Sequence, residues 1–178
     1  MTDILGIQIP SVDPVFLTIV GFHILIGIAC VIAGAVAIFS AKGRGRHSGF
    51  GAIYFWLLVV LFGSATILSA MRWAENYHLF ILGLLSMISA MFGRSVVRAH
   101  RRGWPRLHLT GMGLSYILML TAFLVDNGKF LPVWRELPPL ALWFIPGVIG
   151  LPFLAYALLR HPVVVGHDRL RFGQPIPR

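Results

Sequence analysis

Five long apolar runs separated by short polar or basic links make up most of the chain: about 14–41, 49–71, 76–93, 107–125 and 138–159. A helix needs about 20 mostly apolar residues to cross the hydrocarbon core of a bilayer. Backbone groups in lipid must be satisfied within their own segment, so the runs predict helices rather than open strands. Asp13-Pro14 makes a sound start for the first helix, and Pro138-Pro139 opens the fifth. Pro146, Gly147, Gly150 and Pro152 predict a kink in that fifth helix. The Gly-rich link 42–48 makes the first two helices antiparallel neighbours, and 72–75 is a tight turn. The expected fold is all-α: a polytopic membrane protein of five transmembrane helices, with a four-helix core and a kinked fifth helix. Residues 1–13 form an outer tail, 14–160 the membrane domain and 161–178 a cytoplasmic tail. The loop 126–137 carries Phe130, Leu131 and Trp134, and is expected to lie on the membrane surface.

Composition strengthens this reading. The chain is 57% hydrophobic and 12% charged, with mean hydropathy +0.82, whereas a soluble domain carries about 25% charged residues. Charge then sets the orientation. Of the 15 basic residues, 12 fall in the links 42–48 and 94–106 and in the region after 159. Only Arg72, Lys129 and Arg135 lie at the other end. Basic residues mark the cytoplasmic side, so the N-terminus is expected outside and the C-terminus inside. The net charge of +9 therefore reflects topology, and no nucleic-acid partner is implied. No cleavable signal is expected, because residues 1–13 lack Lys and Arg. The lone Cys30 excludes an intramolecular disulfide and a cysteine metal cluster.

Against this apolar background four histidines stand out, because ionisable side chains at membrane depth are costly and usually functional. His23 precedes Lys42 by 19 residues and His78 precedes Arg94 by 16, depths of roughly 28 and 24 Å at ~1.5 Å per residue. Both belong to an outer layer. His47 follows Arg46 directly and His108 follows Arg106 by two, which makes an inner layer. Diagonal helices of a four-helix bundle face each other across the core. His23 with His78, and His47 with His108, would then be two axial ligand pairs for haem iron. If only one haem is bound, the outer pair is the expected holder.

Gly27 and Gly51 lie one turn from His23 and His47 and would leave room for a porphyrin, or would simply let helices pack. Gly111 and Ser115 follow His108 on the same face, as Tyr54 follows His47. Arg46, Arg72 and Arg106 are candidates for pairing with haem propionates. His100, His161 and His167 lie in basic stretches and are expected to be solvated. A zinc site is disfavoured, since no Asp or Glu lies within a span and no His-Glu-x-x-His motif occurs. Copper held by histidine with Met87, Met91, Met112 or Met119 is an unspecific alternative.

Two resemblances arise at these residues. The stretch His23-x3-Gly27-x-Ala29-x4-Gly34, followed by Lys42-Gly43-x3-His47-x3-Gly51-x2-Tyr54, resembles a group of small bacterial predicted membrane proteins of unknown function, over residues 20–57. The later Trp104-x3-His108 is similar but looser. In layout, with one histidine per core helix and Arg46-His47-Ser48 opening the second, the chain is similar to two-haem transmembrane cytochromes of the b-561 kind. That family's spacing is longer between the first two ligands.

The resemblance implies non-covalently bound haem b, one or two per chain, in a bacterial inner membrane. Electrons would pass from a quinol or a soluble donor at the basic cytoplasmic face. The bilayer is the first partner, and a homo-oligomer or larger membrane complex a further one. The competing reading is a non-enzymatic accessory or structural membrane subunit, or a small transporter, that binds no haem.

Overall fold

The computed structural model describes residues 2–4, 7–9, 13–42, 45–100, 103–160 and 164–165. The expected cytoplasmic tail, with His161 and His167, lies almost wholly outside them, as do Arg44, Arg101 and Arg102. Five helices carry the fold: α1 (Pro14–Phe39), α2 (Arg46–Met71), α3 (Trp73–Arg98), α4 (Trp104–Asn127) and α5 (Pro139–Arg160). All five are long and apolar enough to cross a membrane. The chain is an all-α polytopic membrane protein. At its start, Thr2–Ile4 (β1) and Ile7–Ile9 (β2) pair antiparallel, with Ile4 opposite Ile7. The apolar pattern did not announce that hairpin, because two three-residue strands are too short to show a period.

Helix boundaries follow from local chemistry. Asp13 accepts a hydrogen bond from the Val15 amide at 2.9 Å, and Pro14 fills the first turn, where its missing N–H costs nothing. Helix α2 starts at Arg46, three residues before the apolar run. Gly45 supplies a φ of 116°, and its amide donates to the Ser48 hydroxyl at 3.1 Å. His47 is thereby lifted out of the link and into the first helical turn. Between α2 and α3 the break narrows to Arg72, whose amide still bonds back to Leu68 and Ser69. Gly103, at φ 70°, opens α4.

The helices form two antiparallel hairpins. Helix α1 packs along α2, and α3 along α4. Helix α2 also packs on α3, while α1 touches α4 slightly. Small residues set how close these pairs come. A Cβ on Gly111 would sit 2.7 Å from the Gly93 backbone, so α3 and α4 cross with backbones in contact. Gly34 makes room for the Tyr116 ring. The core comprises Cys30, Ala33, Tyr54, Leu58, Leu61, Met87, Ala90 and Met119. Every buried residue of α1 lies between Cys30 and Ala37. The other half of α1 is therefore bound less deeply into the bundle than the half near the basic link.

Helix α5 lies against α4 as an added helix, with Gly113 fitted to Leu154, Gly150 to Ile117 and Gly128 to Leu142. Pro146 and Pro152 both fall within its helical span, and each removes one backbone hydrogen bond. Two short 3-10 turns, Gly128–Phe130 and Trp134–Glu136, connect α4 to α5.

Candidate functional site

The rings of His47 and His108 meet near the basic end of the bundle. Their centroids are 6.2 Å apart and their planes stand at 86°. Each ring is oriented from within its own hairpin. His47 on α2 bonds through Nδ1 to the Ala37 carbonyl of α1, and His108 on α4 bonds through Nδ1 to the Gly93 carbonyl of α3, both at 2.9 Å. The Ala37 carbonyl lies in the last turn of α1, where carbonyls lack helical partners. A carbonyl only accepts, so Nδ1 carries the proton in both rings. In the neutral imidazoles Nε2 then holds a lone pair. A backbone carbonyl on the far ring nitrogen is the usual way of orienting a metal-binding histidine.

Lys42 joins this site from the link after α1. Its ammonium donates to the Ile38 carbonyl and, at 3.3 Å, to the same Ala37 carbonyl that takes His47 Nδ1. Lys42 is half-buried, and burial pulls its ammonium below the ordinary lysine range. Arg46 and Arg106 flank the two histidines in sequence and are exposed. Arg94 lies over the Phe55 ring, 4.6 Å from its centre.

Two turns deeper lies a buried hydroxyl chain. The Tyr54 hydroxyl is 2.8 Å from Ser115 Oγ, and Ser115 Oγ is 3.3 Å from Ser86 Oγ. Ser86 in turn donates to the Ser115 carbonyl at 2.9 Å. Nearby, the Tyr116 hydroxyl donates to the Val31 carbonyl at 3.1 Å, and Cys30 Sγ approaches the Tyr54 carbonyl at 3.7 Å. Helices from both hairpins are thus tied together at one level.

The outer histidines have other partners. His23 Nδ1 is 2.8 Å from Ser64 Oγ on α2, and Ser64 donates to the Leu61 carbonyl. The His78 ring lies 5.6 Å from both Tyr77 and Trp143, the latter on α5. Among the described residues no ring contact joins His23 to His78. The structure brings together the inner pair of histidines and leaves the outer two on different neighbours. His23 is turned to α2 and His78 to α5.

The remaining sequence candidates divide similarly. Gly51 faces open space, since a Cβ there would meet nothing within 4 Å. Gly27 faces Leu61 at ordinary contact distance. Arg72 pairs with Glu75 at 3.3 Å and covers the Phe16 ring, at the end of the bundle away from His47 and His108. His100 is exposed on the α3–α4 link. No group of three or more metal-ligating side chains occurs among the described residues.

Sequence reasoning missed the two carbonyl anchors, Ser86 and the place of Lys42. One signal was present for the hydroxyl chain: Tyr54 and Ser115 each follow their histidine by seven residues. Comparison with protein-family models, with curated proteins and with solved structures finds no match to this chain.

Proposed function

We propose that this protein is a membrane b-type haem protein that binds one haem between His47 and His108 and carries electrons at the basic end of the bundle. The observation that supports this most is the spacing of the two rings. With a metal–nitrogen bond of about 2 Å and about 1.2 Å from nitrogen to ring centre, two imidazoles binding one metal from opposite sides would have centres roughly 6.3 Å apart, and a tetrahedral pair would be closer. The observed separation is 6.2 Å. The donor set also suits haem: two imidazoles held at Nδ1, with no third histidine, cysteine or carboxylate grouped with them among the described residues.

A haem held by these two histidines would supply one-electron transfer rather than oxygen chemistry. The chain's own contribution is to fix both rings, exclude bulk water through the core and offer cations at the mouth. Arg46, Arg106 and Lys42 are the groups for haem carboxylates, and Arg72 is too distant for that role. The same cations favour an anionic electron donor, or a quinol whose headgroup sits at the interface. By the positive-inside rule this end faces the cytoplasm of a bacterial inner membrane.

The test is a dithionite-minus-oxidised visible spectrum of the purified protein with a pyridine haemochrome assay. The expected result is a sharp low-spin α band and one haem per chain, lost in His47→Ala and in His108→Ala and kept in His23→Ala. A colourless protein made with ample haem would sink this reading and favour an accessory membrane subunit.

A further inference from the structure

We infer that Tyr54 and Ser115, backed by Ser86, are the positioning residues that set the gap and angle between His47 and His108. Helices α2 and α4 run in the same direction, because His47 meets His108 and Tyr54 meets Ser115. An equal offset of seven residues on parallel helices means equal depth, about 10 Å below the histidine layer.

The restraint works because of how each ring is held. His47 is bonded to α1, the other helix of its own hairpin, and His108 is bonded to α3, the other helix of its own. Each ring is thereby restrained within its own hairpin. The remaining freedom between the rings is movement of one hairpin against the other. The Tyr54–Ser115 bond spans that divide in the buried core, where both side chains are at most 2% exposed. With Ser86 donating to the Ser115 carbonyl, a one-way chain from Tyr54 to Ser115 to Ser86 uses each hydroxyl proton once. Every donor is then satisfied, so a shift of either hairpin breaks a buried bond that no water replaces.

Tyr54→Phe and Ser115→Ala remove the bond at little steric cost. The first readout rests on the haem reading. Near-perpendicular imidazoles give a highly anisotropic low-spin electron paramagnetic resonance signal, and parallel ones a rhombic signal. The wild type is expected to show the former, with both variants shifting toward the latter at unchanged haem content.

The second readout needs no haem. Spin labels at Gly49→Cys on α2 and Ala99→Cys after α3, in a Cys30→Ala background, report the hairpin separation. Both label positions are exposed. A single narrow distance is expected in the parent and a broader or longer one in each variant. If both variants keep the parent's distance distribution, the inference is overturned, whatever the haem content. If they lower thermal stability while the resonance signal and the distances stay put, the bond is merely structural and the inference also fails. A colourless parent would defeat the proposed function alone, and the distances would still decide this one.

Discussion

His47 and His108 are set apart from His23 by their approach to each other, not by their tautomer. Nδ1 of His47 and His108 donates to backbone, which fixes the tautomer and leaves the lone pair on Nε2. His23 Nδ1 donates as well, to the Ser64 hydroxyl, whose own proton goes to Leu61. Backbone anchors cannot be removed by substitution, but their neighbours can. Lys42 shares the Ala37 carbonyl with His47. On the proposed haem reading, Lys42→Met is expected to lower the midpoint potential, because a cation near the bound group would favour its reduced form. Redox titration of the two proteins checks this. At Gly111 an added side chain would meet the α3 backbone within 2.8 Å. Gly111→Leu is expected to destabilise the fold by about 1–3 kcal/mol or more, measured as a fall in the melting temperature in detergent.

Helices differ in how much of them the sequence disclosed. The five runs were legible because a bilayer demands length and apolarity, which composition carries directly. Ends were harder. Asp13-Pro14 marked the start of α1 correctly, as the cap bond to Val15 shows. The start of α2 was misplaced by three residues, since Gly45 and Ser48 form a turn whose chemistry looks like link. Asp13→Ala is expected to cost about 1 kcal/mol in α1 stability through loss of that cap, visible as faster amide exchange in its first turn. The pairing of His47 with His108 was legible from their matched positions. The separation of His23 from His78 was not read, because it depends on the neighbours each ring meets. One local signal was there: the buried residues of α1 are the small Cys30, Ala33, Gly34 and Ala37, whereas its outer half is bulky around Thr18 and His23.

For the molecule as a whole, the basic residues gather at one end and Phe130 and Val133 stand exposed at the other. The α4–α5 connection is therefore expected to rest in the opposite interface, where aromatic rings are favoured. Bromine-labelled lipids should quench the Trp134 region more strongly when the label sits near the headgroups than deep in the tails. Sidedness can be checked with a membrane-impermeant thiol reagent on intact cells. A cysteine at Val133 should be modified and one at Ser48 protected.

The division into two hairpins has a consequence for how the protein comes into being. Each hairpin can insert on its own, since helix formation in lipid precedes helix association. Neither carries more than one of the two ring-contacting histidines. On the proposed reading, a haem held by both would be a staple between separately inserted halves, and its uptake would mark the moment of assembly. Halves divided at Arg72 and produced apart should each stay colourless. Made together, they should recover the spectrum of the intact chain, with haem stabilising their union by mass action.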